Sequence, residues 1–282
     1  RDRIYHESYD KLILSPGAQP FVPPLPGVDL SGIFRLRIMT DMDAIKAHVD
    51  AGEAQSAVVV GGGFIGLEMA DNLARRGLQV TVVEMLDQVL PPLDFEMAAL
   101  VHQHLRLKNV RLALGDGLKS ISQQDDGRLA VTLQSGRVAV ADMVVLSVGV
   151  RPESELARNA NLEVGPRGHI VVNDALQTSD PDIYAIGDAI QVKHVVNAQP
   201  TAIPLAGPAN RQGRLAADHI TGLEVAYQGT QGTCIAKIFD LTVAGTGLNA
   251  RQLEQQGFAF RSTITESPDH VTYYPGAAQM MI

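Results

Sequence analysis

The sequence contains little cysteine, few aromatic residues and no long hydrophobic run. Among its 282 residues there is one cysteine, Cys234, which excludes an internal disulfide framework and favours the reducing cytoplasm. Tryptophan is absent and aromatic residues make up 5% of the chain, so we expect no large stacking surface for nucleic-acid bases. No apolar run reaches the length of about 18 residues that indicates a membrane span, and the opening residues do not resemble a signal peptide.

Charge is sparse as well. Charged residues make up 19% of the chain and the net charge is −8. No cluster of lysine and arginine is present, so we expect neither a nucleic-acid partner nor a membrane partner. Hydrophobic residues make up 45% of the chain, which at this length is enough for two domains with cores of their own. We expect no metal site.

The clearest local pattern is a strand, a glycine-rich turn and a helix that follow one another without a gap. Residues 57–60 are apolar and β-branched, which predicts a strand of a parallel sheet covered on both faces. Gly61, Gly63 and Gly66 form G-x-G-x-x-G, and residues 67–76 continue as a helix. The three glycines permit a tight turn, close approach of a pyrophosphate and close helix packing, in that order. The pattern predicts dinucleotide binding; the alternative is a glycine turn that serves packing alone.

An acidic residue supports the dinucleotide interpretation. Glu84 ends the next predicted strand, residues 80–84, where a carboxylate accepts hydrogen bonds from the adenosine ribose hydroxyls. A carboxylate would repel the 2′-phosphate of NADPH, and no arginine or lysine lies between Gln79 and Gln88 to offset it. The sequence therefore predicts NADH, with NADPH the less favoured cofactor.

The rest of the chain alternates between strand and helix patterns. Residues 118–140 alternate with turn signals, which predicts antiparallel ribbons, and residues 143–147 form a buried strand. Further strands are predicted at 11–15 and 184–188. Helices are predicted at 41–51, 94–107 and 208–220.

Four segments occur in an order that resembles the pyridine nucleotide–disulfide oxidoreductase family. They are Ser15–Ala18, the glycine turn, Ser147–Pro152 and Thr178–Asp188. The resemblance implies an α/β fold in which a Rossmann-like NAD domain is inserted in a split FAD-binding domain, followed by the start of an α+β interface domain. The implied boundaries are 1–34 for the first FAD part and connector, 35–152 for the NAD(H) domain, 153–227 for the second FAD part and 228–282 for the incomplete interface domain.

The same resemblance implies a set of cofactor residues. Phe64 and Ile65 resemble residues that stand between flavin and nicotinamide. Glu68 resembles an acid that contacts the carboxamide, although it is also an ordinary acid near a helix start. Asp188 resembles the acceptor for the ribityl chain of FAD. The full sets are Gly61, Gly63, Phe64, Ile65, Gly66, Glu68, Glu84 and Gly149 for NAD, and Gly17, Gly187, Asp188, Leu205 and Ala206 for FAD.

Two further stretches are similar to the coenzyme A-disulfide and persulfide reductase branch of the family. They are residues 204–214 and the run from 229 to 277 that contains Tyr273 and Tyr274. The resemblance makes Asn210 and the two tyrosines candidates for the substrate side. For the tyrosines the alternative is ordinary packing in a strand, and for Asn210 it is a position on a helix surface.

We therefore expect a flavoprotein oxidoreductase that passes electrons from NAD(P)H through FAD to a coenzyme A disulfide or persulfide. The redox cysteine is expected upstream of residue 1, so no catalytic residue is assigned and the segment by itself is expected to be inactive. Cys234 is interpreted as a small buried hydrophobe. The family resemblance implies a homodimer for the full protein. Alternatives are an NADH oxidase or peroxidase that uses oxygen or peroxide, and a non-catalytic nucleotide-binding redox sensor.

Overall fold

The computed structural model describes residues 4–282. Nineteen strands and six helices are present in this range, together with a 3-10 turn at Gly187–Ala189. The strands are β1 Leu12–Leu14, β2 Ala18–Pro20, β3 Ile33–Phe34, β4 Ser56–Val60, β5 Gln79–Val83, β6 Arg111–Ala113, β7 Leu118–Gln123, β8 Leu129–Leu133, β9 Val138–Ala141, β10 Met143–Leu146, β11 Val150–Pro152, β12 Ile170–Val171, β13 Ile183–Ala185, β14 Ile190–Lys193, β15 Pro200–Thr201, β16 Cys234–Ile238, β17 Leu241–Gly245, β18 Glu266–Pro268 and β19 Gln279–Met281. The helices are α1 Met39–Asp50, α2 Phe64–Arg75, α3 Phe95–Leu107, α4 Glu155–Asn159, α5 Ala206–Ile220 and α6 Ala250–Gln255.

A five-stranded parallel sheet, in the order β3-β10-β4-β5-β6, forms the centre of residues 33–146, here called the central region. Its valine-rich strands suit this position because both faces are covered. Val58 and Val60 face one core, whereas Val59 faces the other, and all three are almost fully buried. The continuous apolar run at 57–60 was therefore correctly interpreted as a strand buried on both sides.

The two faces of this sheet are covered by different layers. Helices α1, α2 and α3 pack on one face, through Leu67, Leu73, Val101 and Leu105 among others. The antiparallel sheet β7-β8-β9 covers the other face, as the alternating pattern at 118–140 predicted. The helix predicted at 67–76 begins earlier than expected, at Phe64.

The segments before and after the central region pair with one another. Strand β1 pairs in parallel with β13, although the whole central sheet lies between them in sequence. Strand β2 pairs antiparallel with β11, so the chain enters and leaves the central region through two paired strands. The Arg151 guanidinium covers the Phe21 ring at 4.1 Å beside this pair. This arrangement agrees with the predicted α/β fold class, in which one nucleotide-binding region is inserted into another.

The last part of the described chain consists of two hairpins and a short helix. In the β16–β17 hairpin, Ile238 is fully buried and joins the core of the central region. The connection to β18–β19 contains α6, and this hairpin end of the chain is largely exposed. Within residues 4–282, no helix is long and apolar enough to cross a bilayer. The same residues contain no group of three or more His, Cys, Asp or Glu side chains placed to hold a metal ion.

Candidate functional site

A large cleft runs between the central region and the region built around β13 and α5. Its volume is about 880 Å³ and its lining is mostly apolar. Most of the predicted cofactor residues line it. On the dinucleotide side these are Gly61, Gly63, Phe64, Ile65, Glu68, Glu84 and Gly149, and on the flavin side they are Asp188, Leu205 and Ala206. A cleft of this size, with few polar groups, suits a flat organic ligand better than a macromolecule.

The glycine turn has the geometry that its sequence requires. Gly61 has a φ of +112°, and a Cβ there would lie 2.3 Å from the Ser147 carbonyl oxygen. At Gly66 a Cβ would lie 1.9 Å from the Gly61 oxygen, so the third glycine allows α2 to pack against the turn. At Gly63 an added Cβ would meet nothing within 4 Å. The turn is therefore crowded on the protein side and open at the position where a pyrophosphate would approach.

Helix α2 starts at the open side of the turn. Gly63 is its N-cap and offers no side chain to the first N–H groups, so those donors remain available to an anion in the cleft. The positive end of the helix dipole lies at the same place.

Glu84 is fastened to the glycine turn. One of its carboxylate oxygens accepts a hydrogen bond from the Gly62 N–H at 2.6 Å, and the other accepts one from the Leu86 N–H at 2.8 Å. The strand end, the glycine turn and the acid are thereby held as one unit. The contact of Glu84 with an adenosine ribose stays a prediction.

The flavin side of the cleft combines a half-buried acid with a second uncapped helix start. Burial raises the pKa of the Asp188 carboxyl. The preceding Gly187 donates its N–H to Oε1 of Gln212 on α5 at 2.7 Å, and Nε2 of Gln212 donates to the Tyr227 hydroxyl at 3.1 Å. Helix α5 begins after Leu205, whose side chain provides no cap. Gln212 is 2% exposed and was not foreseen from the sequence.

Several predicted residues do not line the cleft. Gly66 and Gly187 support it from behind through the contacts described above. Gly17 has a φ of +75°, and its carbonyl oxygen accepts a hydrogen bond from the Glu153 N–H at 2.9 Å, next to the β2–β11 pair. Asn210 lies on the exposed side of α5.

The paired tyrosines are not among the residues that line the cleft. Tyr273 and Tyr274 are 82% and 61% exposed, with ring centroids 5.3 Å apart. They belong to the turn between β18 and β19, not to a strand, so the alternative of ordinary packing within a strand is wrong.

Cys234 differs from the sequence interpretation. It is half-buried, not a core residue, and its side chain borders the cleft beside Ile235. Its Sγ lies 3.7 Å from the Gly245 carbonyl oxygen, and burial raises the pKa of its thiol. A raised pKa disfavours the thiolate, which is the reactive form. The hairpin position of this residue, which local pattern does not reveal, brings it to the cleft.

The cleft also contains residues that sequence reasoning missed. Met85 and Pro91 border it next to Glu84, and Gln134 and Phe21 line other parts of its wall. Their residue types carry no local signal for nucleotide binding.

The fold and the cleft define a class of protein: α/β proteins in which a Rossmann-like region and a second α/β region share one cleft. The family model for pyridine nucleotide-disulphide oxidoreductases matches residues 3–202, and the chain belongs to this family. The family resemblance inferred from the sequence is confirmed.

Three related proteins give finer information. The structure of reduced CoADR-RHD from Bacillus anthracis is 50% identical with a TM-score of 0.94, and the match covers 98% of this chain and 50% of that one. An NAD-dependent persulfide reductase from A. fulgidus is 38% identical with a TM-score of 0.93, covering 97% and 50%. An NADH oxidase of Methanocaldococcus jannaschii is 36% identical over 279 residues, covering 99% of this chain and 62% of that protein. The chain thus spans between half and two thirds of the length of these relatives.

FAD and NADH are the cofactors of this family, and the residues present fit both of them. The space at Gly63 and the free N–H groups of α2 fit the pyrophosphate of a dinucleotide. Asp188 and the start of α5, which also border the cleft, provide a polyol acceptor and a site for negative charge. The prediction of both cofactors is confirmed.

Proposed function

We propose that this chain forms the cofactor-binding part of an NADH-dependent flavoprotein that reduces a disulfide or persulfide of coenzyme A. The observation that carries the proposal is the cleft that the glycine turn and Asp188 both line. The names of the Bacillus anthracis and A. fulgidus relatives support the substrate class. The proposed boundaries are those expected from the sequence, with the nucleotide-binding region at 35–152 between two FAD parts, 1–34 and 153–227, and the interface region at 228–282.

The residues of the chain would act mainly by binding and orientation. Glu84 would accept hydrogen bonds from the ribose of NADH and disfavour a 2′-phosphate, which selects NADH over NADPH. Phe64 and Ile65 would stand between the nicotinamide and the flavin. Asp188 would hold the ribityl chain of FAD.

The start of α5 would stabilise negative charge on the flavin by its free N–H groups and its dipole. Bound FAD would take up the electrons of NADH and deliver them to the acceptor. A cysteine from a segment upstream of residue 1 would receive them, and Asn210, Tyr273 and Tyr274 would contact the coenzyme A disulfide or persulfide. We also propose that the whole protein is a cytoplasmic homodimer.

A second candidate is an NADH oxidase that delivers the electrons to oxygen or peroxide. The name of the Methanocaldococcus jannaschii relative favours it, because that protein matches almost the whole of this chain. The exposed tyrosine pair favours a coenzyme A disulfide or persulfide as the acceptor, since oxygen and peroxide need no aromatic surface for recognition.

The test is a comparison of electron acceptors with the purified full-length protein, which includes the proposed upstream cysteine, supplied with FAD. NADH consumption is followed without oxygen in the presence of coenzyme A disulfide or persulfide, and separately with oxygen or peroxide alone. We expect the coenzyme A acceptors to give at least about tenfold higher kcat/KM. Rapid consumption with oxygen and no response to coenzyme A disulfide or persulfide would reject the proposed substrate.

A substitution refines this test. Asn210→Ala should raise KM for coenzyme A disulfide by about three- to tenfold, the effect of one lost hydrogen bond, and leave KM for NADH unchanged. Arg214→Gln, one turn further along the exposed side of α5, serves as the control. An equal effect of both variants would remove Asn210 from the substrate site.

A further inference from the structure

The loop between β5 and α3, residues 84–94, is here called the ribose loop. It borders the cleft at Glu84, Met85 and Pro91, while Gln88, Val89 and Leu90 between them are buried. The loop is joined to the glycine turn at its middle, because the Leu90 N–H donates to the Gly62 carbonyl oxygen at 2.9 Å.

The contact between this loop and the turn is tight. A Cβ added at Gly62 would lie 2.9 Å from Cγ1 of Val89. Leu90 has a φ of +49°, a conformation that costs free energy for a side chain of this size and must be held by its surroundings. A shift of Val89 and Leu90 would therefore move Gly62, and with it the hydrogen bond from Gly62 to Glu84.

One side chain of α3 holds the middle of the loop. His102 is 5% exposed, and its Nε2 accepts a hydrogen bond from the Val89 N–H at 3.1 Å. The Phe95 ring packs edge-on against the imidazole, with centroids 6.2 Å apart. Nε2 accepts only in the unprotonated form, with the proton on Nδ1. Burial, with the nearby Arg106 adding to it, lowers the pKa of His102, and this favours the accepting form.

The second half of the loop is held by further hydrogen bonds. Gln88 donates from Nε2 to the Leu93 carbonyl oxygen at 3.0 Å, and Asn249 donates from Nδ2 to the Pro91 carbonyl oxygen at 2.9 Å. The Asp94 carboxylate accepts from the Ala250 N–H at 2.7 Å. Loss of the His102 contact would thus leave the loop attached at its end and loosen it where it meets the glycine turn.

We propose that His102 is a positioning residue for NADH, which acts by holding the Val89 N–H and thereby the geometry of Gly62 and Glu84. The proposal rests on the proposed binding of NADH at the glycine turn. His102 is not one of the residues that line the cleft, so its effect would pass through Val89, Leu90 and Gly62.

Three substitutions of His102 in the purified protein test this role. In His102→Gln the amide oxygen reaches about the position of Nε2, so the bond to Val89 can be kept. In His102→Asn the oxygen corresponds to Nδ1 and cannot reach, and in His102→Leu no acceptor is left. The dissociation constant of NADH is measured by titration, together with kcat, the FAD content and the unfolding temperature.

We expect His102→Asn and His102→Leu to raise the dissociation constant of NADH about three- to tenfold, as for one hydrogen bond, with kcat at saturating NADH and FAD content unchanged. His102→Gln should stay within about twofold of the wild type. Leu105→Val, a fully buried change in the same helix, is the control for a general loss of stability and should leave NADH binding unchanged.

Two results would overturn the assignment. One is equal NADH affinity in all three variants and the wild type. The other is a loss of affinity that follows the unfolding temperature, with Gln no better than Asn and Leu105→Val equally affected. If the wild type itself fails to bind NADH, the proposed function fails and the role of His102 fails with it. If His102→Leu does not fold, the comparison of Gln with Asn decides.

Discussion

At the scale of single residues, the site depends on pairs whose members lie far apart in sequence. Glu84 and Gly62 form one such pair. The Glu84 carboxylate accepts a hydrogen bond from the Gly62 N–H, and this bond holds the glycine turn against the end of β5. Because both oxygens of Glu84 accept backbone bonds, the carboxylate has a fixed orientation before any ligand binds. Preorganised acceptors bind with less loss of side-chain entropy.

The preference for NADH over NADPH should depend on Glu84 and on Met85 next to it. In Glu84→Ala combined with Met85→Arg, the repulsive carboxylate is removed and a cation is placed where Met85 borders the cleft. We expect kcat/KM for NADH to fall about tenfold and that for NADPH to rise by at least as much. Steady-state kinetics with both cofactors measure the ratio. Met85→Leu is the control, and an unchanged ratio in the double variant would show that Glu84 does not contact the ribose.

At the scale of elements, two helices begin at the cleft and each is tied to a strand end. Helix α2 follows β4 through the glycine turn. Helix α5 is tied to the turn after β13 by Gln212, which bridges Gly187 and Tyr227. A buried amide with both ends satisfied fixes the distance between two elements, because loss of either bond leaves a buried polar group without a partner.

FAD binding should depend on the hydrogen bonds that Gln212 makes to Gly187 and Tyr227. Gln212→Met keeps the volume and removes both hydrogen bonds, so the turn before Asp188 loses its support. We expect the dissociation constant of FAD to rise about tenfold and that of NADH to stay unchanged. The absorbance of the flavin that the protein retains measures FAD binding. Tyr227→Phe leaves the bond to Gly187 intact and should have a smaller effect. Equal retention of FAD in wild type and Gln212→Met would contradict the bridge.

At the scale of the whole molecule, the β16–β17 hairpin is packed into the core of the central region. Asp71 of α2 is 8% exposed and accepts the Phe239 N–H at 2.7 Å. Arg75 bonds to the same carboxylate and lies over the Phe239 ring, 5.4 Å from its centroid. The far end of the helix that starts at the glycine turn is therefore attached to the C-terminal region. A movement of this region would be transmitted to α2.

Removal of this attachment should loosen the hairpin. Asp71→Ala leaves the Phe239 N–H without its partner, which costs about 1–3 kcal/mol for a buried donor. We expect a lower free energy of unfolding and faster hydrogen exchange in β16 and β17. Asp126→Asn, which breaks an exposed pair with Arg128, is the control and should change stability by less than about 1 kcal/mol. Unchanged exchange in the hairpin would show that its packing does not need Asp71.

The sequence by itself determined the features that lie within a few consecutive residues. The valine strand, the glycine turn and the acid at Glu84 each occupy one short segment, and local sterics prescribe their conformation. The order of such segments was sufficient to indicate the family. Tertiary structure alone decided which distant segments meet. It brought Cys234 and Met85 to the cleft, placed the tyrosine pair in an exposed turn, and set His102 against Val89. Contacts of this kind depend on how helices and loops pack across the sheet, and no local pattern of residues encodes that packing.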